Sequence, residues 1–175
     1  VTMLGEIGYR QVNSADSADL VLLNTCSVRD KAERKVYGHL GRFKPIKDAR
    51  PELIIGVGGC VAEQEGEKML KEVPYLDLVF GTHNVHRLPE LVQQAEQGNR
   101  RLSVTGFLDQ ETRLNLFPQR SDLDSVTRFV TVMQGCDNFC TYCIVPHVRG
   151  REISRPSAEV IAEVEALVAQ GVREV

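Results

Sequence analysis

The chain has no tryptophan, and aromatic residues make up 6% of its 175 positions, so its core must be built from aliphatic side chains. No apolar run reaches the length of a membrane-spanning helix, and no signal-peptide pattern opens the sequence. There is no strong excess of either charge. The formal net charge is −3, so total charge does not mark the chain as a nucleic-acid binder. Internal repeats and low-complexity stretches are also lacking. The five cysteines are an odd number without a secretory signal, which argues against a disulfide framework and for reduced, metal-binding or redox use in the cytoplasm. The chain opens on Val1 and closes on Glu174-Val175 in strand-like sequence, so it reads as a segment of a longer protein.

What is present is an alternation of elements. Gly8–Val12 reads as a short strand following a helix. Asp19–Thr25 is a continuous apolar run of the kind found in buried parallel strands. Ser27 and Asp30 form a capping box for a helix bearing Val28, Ala32, Val36, Leu40 and Phe43 on one face, with Pro45 beyond its end. Leu53–Val57 and Leu76–Phe80 are further strands, separated by a helix from about Ala62 to Glu72. Asn84 is placed to cap a helix with Leu88, Leu91, Val92 and Ala95, closed by Gly98. This order predicts an α/β fold: a doubly wound parallel-sheet domain with right-handed crossovers over residues 1–105. Residues 106–125 are polar and aperiodic and read as a linker. A second unit, 126–175, has a strand over Thr127–Met133, a long loop, a helix opened by Pro156-Ser157, and the beginning of another strand after Gly171; it reads as the start of a barrel or sheet.

The chemistry concentrates in that loop. Cys136, Cys140 and Cys143 are spaced C-x3-C-x2-C, with Tyr142 just before the last. Three thiolates are one too few for a closed tetrahedral site or a fully protein-ligated cubane, which leaves one coordination position for a non-protein ligand. His147 supplies a second possibility, a Cys3His zinc site, and spacing alone leaves the two open. Cys26 and Cys60 each follow a buried strand, so a parallel sheet brings both to one edge; they read either as ligands or as small buried apolar residues. His39, His83 and His86 read as surface or turn residues. Between Arg29 and Arg50 lie eight basic and three acidic residues, either a solvated helix face or a phosphate-contacting surface. Arg149, Arg151 and Arg155 follow the cysteine loop and are candidates for bidentate contact with phosphate or carboxylate. Gly58-Gly59 lacks the full dinucleotide-binding run and is weak as a nucleotide motif.

The run Gly135–Pro146, with its C-x3-C-x-aromatic-C core, resembles the signature of radical S-adenosylmethionine enzymes. With Arg149-Gly150-Arg151-Glu152 and Ser154-Arg155-Pro156 it is similar to the methylthiotransferase family. Asn24–Glu33, Gly58–Ala62 and Phe80–Leu91 resemble the amino-terminal domain of the same family, in the branch acting on isopentenyladenosine of tRNA.

The resemblance implies a methylthiotransferase-type amino-terminal domain followed by the start of a partial (β/α) barrel. It implies two [4Fe-4S] clusters and S-adenosylmethionine as cofactors. Cys136, Cys140 and Cys143 would hold the cluster that binds S-adenosylmethionine, and Cys26 and Cys60 would be two of three ligands of an auxiliary cluster, the third lying outside this chain. The implied product is a methylthio group on C2 of the adenosine beside the anticodon. The implied partners are tRNA and a reductant such as a flavodoxin or ferredoxin, with no membrane and a cytoplasmic location. Sister substrates are another tRNA adenosine or a ribosomal protein. The segment alone is expected to be inactive.

Overall fold

The computed structural model describes residues 2–27, 30–116 and 126–175. Val28, the side chain of Ala32, the Ser27–Asp30 capping box and the 117–125 part of the expected linker lie outside the described residues.

Four strands form one parallel sheet: β1 (Leu20–Thr25), β2 (Ile54–Gly59), β3 (Leu78–Phe80) and β4 (Leu102–Val104), in that spatial order. Between them run α2 (Asp30–Ala49), the pair α3 (Cys60–Glu65) and α4 (Glu67–Glu72), and α5 (Leu88–Glu96); α1 (Thr2–Gly5) precedes β1. β2 is central and buried on both faces, which explains its unbroken apolar run. Side chains alternate across it. Ile55 and Val57 join Val36 and Leu40 of α2 and Met69 and Leu70 of α4 in one core. Ile54, Leu78 and Phe80 meet Leu88, Leu91 and Val92 of α5 in the other, with Leu4 and Ile7 packed against them. Each such side chain fully removed from water contributes about 1.5–3 kcal/mol before entropy is counted.

Helices thus cover both faces, as a doubly wound sheet requires. Strand order advances in one direction while the covering helix changes face, so the β3–β4 crossover has the opposite hand to the first two, against the expectation of uniform right-handed crossovers.

Several local expectations are corrected. Gly8–Val12 is not a strand; apart from half-buried Tyr9 its residues are exposed, and the Tyr9 hydroxyl ties it to Glu96 at 2.7 Å. The short β4 takes a sheet edge that the sequence reading left empty. Pro45 lies inside α2, whose exposed side tolerates one missing hydrogen bond; the residue four before it is Gly41, also exposed. The helix ends instead just before Arg50-Pro51. The expected single helix from Ala62 to Glu72 breaks at Gly66. Asn84 is no cap: it lies in a 3-10 turn, Thr82–Arg87, and its amide donates to the Gly106 carbonyl at 3.1 Å.

Beyond the sheet, α6 (Gln110–Asn115) stands within the expected linker, capped by Asp109, whose carboxylate accepts from Thr112 N–H at 2.9 Å. In place of a strand over Thr127–Met133 there is a parallel bridge between Thr127 and Glu174 and a short hairpin, β5 (Met133–Gln134) with β6 (Ile153–Ser154). α7 (Val145–Arg149) and α8 (Ser157–Ala169) complete the segment. The bridge joins two stretches across the intervening α8, the connectivity of a βαβ unit. No helix among the described residues is long and apolar enough to cross a membrane.

Candidate functional site

Register places two cysteines together. Thr25 pairs with Gly59 at the carboxyl ends of β1 and β2, so the next residues, Cys26 and Cys60, emerge side by side at the sheet edge where open α/β sheets bind ligands. The backbone is built for this turn. Gly59 has φ +99°, and a Cβ there would lie 2.4 Å from the Thr25 carbonyl oxygen. The Thr25 hydroxyl donates to the Gly58 carbonyl at 2.7 Å and accepts from Val61 N–H at 3.2 Å, pinning the first turn of α3 to β1. Cys60 opens α3 and is buried; Cys26 is exposed, and both thiols are free.

These two cysteines and Ser27 form one wall of a cleft of about 220 Å³. The opposite wall comes from the second segment: Met133, Gln134, Gly135, Ile144, Val145, Val148 and Arg149. Gly135 immediately precedes Cys136, and Ile144 immediately follows Cys143. The cysteine loop therefore leaves the cleft wall at one end and rejoins it at the other.

Within the loop Cys136 and Cys143 are half-buried and Cys140 is exposed. The backbone reverses at its end, Cys143 N–H donating to the Cys140 carbonyl at 3.0 Å, while Cys136 N–H donates to the Gly150 carbonyl at 3.2 Å. Asp137 accepts from Glu152 N–H at 3.0 Å and from Arg151 Nε at 2.8 Å, and these contacts hold its carboxyl below the usual carboxylate range. The same guanidinium lies 5.7 Å from the centre of the Phe139 ring.

Three unpaired thiols on one short, turned loop are a donor set suited in chemistry to an iron–sulfur cluster or to zinc. Among the described residues no three His, Cys, Asp or Glu side chains converge on a metal-binding arrangement. The structure thus brings Cys26 and Cys60 to one cleft and sets Cys136, Cys140 and Cys143 on one loop without gathering their sulfurs. His147 is exposed on α7.

The arginines divide by role. Arg149 reaches the cleft, its Nε 3.5 Å from Cys60 Sγ. Arg151 braces the cysteine loop. Arg155 is buried in structural contacts, donating to the Thr131 carbonyl and pairing with Glu163, so the phosphate-binding reading does not suit it. On α2, Lys44 pairs with Asp48 and Lys47 with Asp77; just beyond it, Arg50 pairs with Asp19 and Glu52. Arg34, Lys35 and Arg42 remain exposed, without an ion pair among the described residues.

Two residues escaped the sequence reading. His83, expected on the surface or in a turn, does lie in the Thr82–Arg87 turn but is buried, 8% exposed. Its Nδ1 accepts from Leu108 N–H at 3.1 Å, which makes Nε2 the protonated nitrogen and the donor to the Arg149 carbonyl at 3.0 Å. Arg113, on α6, is 6% exposed and donates to the carbonyls of Arg151 and Arg149 at 2.8 and 3.3 Å. The Asp109 cap with Thr112 three residues on was a readable signal for α6. Nothing in the local pattern marks the carbonyls that His83 and Arg113 reach.

Fold and site together define an α/β protein that presents cysteines from a parallel-sheet edge across a cleft from a second cysteine loop. Residues 1–81 match the sequence model of the uncharacterized protein family UPF0004. The whole chain is similar to curated proteins named tRNA-2-methylthio-N(6)-dimethylallyladenosine synthase. Identity is 63% with that of Geobacter sulfurreducens, covering 99% of this chain and 39% of the relative. It is 61% with that of Syntrophotalea carbinolica, covering 100% and 40%, and 65% with that of Geobacter metallireducens, covering 96% and 38%. Over nearly its whole length the chain is thus a relative of proteins that carry this name. It spans about two-fifths of the length of the curated relatives it matches.

Proposed function

We propose that this chain carries both cysteine sites of an enzyme that adds a methylthio group to C2 of N6-isopentenyladenosine beside the tRNA anticodon. The observation that carries the reading is the shared cleft: Cys26 and Cys60 form one wall, and the residues flanking the C-x3-C-x2-C loop form the other. Cys136, Cys140 and Cys143 would hold one [4Fe-4S] cluster, and Cys26 and Cys60 would be two ligands of a second. When bound, with S-adenosylmethionine on the open iron and an electron from a flavodoxin- or ferredoxin-like donor, the first would supply a radical able to attack an unactivated aromatic carbon, and the second the sulfur.

The chain's own residues do the positioning. The Thr25 hydroxyl and Gly59 set the turn that presents Cys60. Asp137 and Arg151 shape the triplet loop. Arg149 sets a cation in the cleft beside Cys60, where an anionic group of substrate or cofactor can be held. Val145 and Val148 give that cleft an apolar side. Exposed Arg34, Lys35 and Arg42 on α2, without an ion pair among the described residues, offer a phosphate-contacting face for tRNA. With such a substrate the activity belongs in the cytoplasm, and the segment by itself is not expected to turn over.

The test is nucleoside mass spectrometry of tRNA from cells lacking the full-length gene. Loss of the 2-methylthio-isopentenyl nucleoside is expected, restored by the wild-type gene and not by Cys26→Ala, Cys60→Ala or Cys140→Ala. Its persistence in the deletion strain would point to a different adenosine or a ribosomal protein. A colourless full-length protein holding one zinc per chain would overturn the cluster assignment.

A further inference from the structure

Three carbonyls of one tight turn are held by side chains that come from elsewhere in the chain. The Val148 carbonyl accepts from the Thr82 hydroxyl at 2.7 Å. The Arg149 carbonyl accepts from His83 Nε2 and Arg113, and the Arg151 carbonyl from Arg113. Thr82 and His83 follow β3 of the sheet; Arg113 belongs to α6. Between the two arginines sits Gly150, with φ +71° and ψ −169°, a conformation closed to other residues. A Cβ there would lie 3.3 Å from His83 Cε1 and 3.6 Å from an Arg113 Nη, so imidazole and guanidinium close directly onto the glycine.

The residues on either side of Gly150 address different sites. The Arg149 side chain enters the cleft to Cys60. The Arg151 side chain crosses to Asp137 and Phe139 in the cysteine loop. Any shift of this turn moves both contacts at once.

Arg113 has the character of a residue retained for geometry. It is buried, burial lowers its pKa from the ordinary arginine value, and among the described residues it makes no ion pair. A buried cation bonded only to carbonyls is costly, and a merely structural helix contact would be better served by an apolar side chain. Its planar fork, however, spans the two carbonyls flanking Gly150 at once in a fixed geometry, which no apolar residue does and which the flexible point charge of a lysine does not fix.

We propose that His83 and Arg113 are positioning residues that clasp the Val148–Arg151 turn and thereby fix the Cys26–Cys60 cleft relative to the Cys136 loop. This rests on the function proposed above, in which the two cysteine sites act in sequence on one nucleotide. Loss of the clasp is then expected to uncouple them: S-adenosylmethionine cleavage continues while methylthio transfer falls.

The test uses the full-length enzyme and the variants His83→Gln, Arg113→Met and Arg113→Lys. The first readout needs no cofactor. In cluster-free protein, amide hydrogen exchange over 145–151 is expected to rise about tenfold or more in Arg113→Met, which removes two buried hydrogen bonds, with exchange in β2 unchanged. The second uses reconstituted enzyme: at unchanged iron content, 5′-deoxyadenosine formed per methylthiolated nucleoside is expected to rise severalfold. Should Arg113→Met fail to fold, Arg113→Lys keeps the charge, loses the fork and gives both readouts at smaller amplitude. Unchanged exchange over 145–151 overturns the proposal, and so does raised exchange with a wild-type product ratio. A wild-type enzyme that forms no 5′-deoxyadenosine sinks the functional reading instead, and the exchange result then decides on the clasp alone.

Discussion

Arg149 and Cys60 lie 89 residues apart in sequence, and the guanidinium Nε of one stands 3.5 Å from the sulfur of the other. The contact covers a thiol that is only 3% exposed, whereas Cys26, on the same cleft, is open to solvent. Thiol reactivity follows access as well as thiolate character. Iodoacetamide labelling of the metal-free protein should therefore modify Cys26 and Cys140 well before Cys60. Arg149→Ala should speed the labelling of Cys60 selectively, read by peptide mass spectrometry. Equal rates at Cys26 and Cys60 in the wild type would contradict the packing described.

Gly59 tolerates no side chain. At φ +99° with the Thr25 carbonyl in the way, alanine must strain the backbone and push β1 from β2 at the point where Cys26 and Cys60 emerge. Gly59→Ala is expected to cost upwards of about 1–3 kcal/mol in urea unfolding, from the backbone conformation alone. It should also lower iron incorporation at the Cys26–Cys60 site more than at the triplet. Gly98 also has a positive φ, but a Cβ there has open space, so Gly98→Ala is the control and should leave iron incorporation untouched.

Stability at the opposite end of the sheet depends on Asp77. It is 4% exposed, pairs with Lys47 at 2.7 Å, and accepts from Ile55 N–H at 2.9 Å, linking α2 to β2 and β3. Asp77→Ala leaves the Lys47 ammonium, whose side chain is 11% exposed, with the Leu53 carbonyl but no counter-charge, and should destabilise the protein by about 3–5 kcal/mol. Because Asp77 sits away from the carboxyl edge, cysteine labelling below the transition should be unaffected. Replacing Lys47 by methionine together with Asp77→Ala should recover part of the loss.

Much of this was legible beforehand, and the reasons differ by element. β2 declared itself through an apolar run flanked by Gly58-Gly59-Cys60, because a central parallel strand is buried on both faces. The placement of Cys26 beside Cys60 followed from strand-end loops in a parallel sheet, and the register agrees with it. β4 was missed because three half-buried edge residues carry almost no periodic signal. The strand expected over Thr127–Met133 shrank to a bridge and a two-residue ladder because its β-branched residues had no long partner strand among the described residues. The clasp was invisible for a different reason. His83 and Arg113 act on backbone carbonyls, and carbonyls carry no sequence identity.

The exposed face of α2 gives a prediction about RNA. Arg34, Lys35 and Arg42 are solvent-facing and free of ion pairs among the described residues, unlike Lys44, Lys47 and Arg50. If they meet phosphates, Glu at all three positions in the full-length enzyme should weaken tRNA binding and flatten its salt dependence, by roughly one unit of slope for each phosphate no longer neutralised. Lys44→Glu, whose partner is Asp48, should do less. Equal slopes for the triple variant and the wild type, measured by filter binding across salt concentrations, would remove α2 from the interface.

The clasp should also respond to acid. Burial lowers the pKa of His83 from the ordinary histidine value, and the neighbouring Arg113 adds to this; the bond to the Arg149 carbonyl and the charge of Glu63 act the other way. Protonating Nδ1 would also turn the acceptor for Leu108 N–H into a donor and break that bond. In the unfolded chain His83 takes up its proton as pH falls through about 6.5. The folded protein resists until lower pH, so across that interval the unfolded state binds more protons and stability falls as pH falls. The contribution is complete above about pH 7.5 and is lost on acidification down to the folded-state value, with a slope of at most about 1.4 kcal/mol per pH unit. Urea unfolding of wild type and His83→Gln between pH 5 and 8 isolates it: the wild type should lose stability relative to the variant as pH drops below 6.5. Hydrogen exchange over 145–151 should quicken in the same range in the wild type alone, after correction for intrinsic rates. Parallel stability curves for the two proteins would mean that His83 titrates as an exposed histidine does, which the buried, doubly bonded ring excludes.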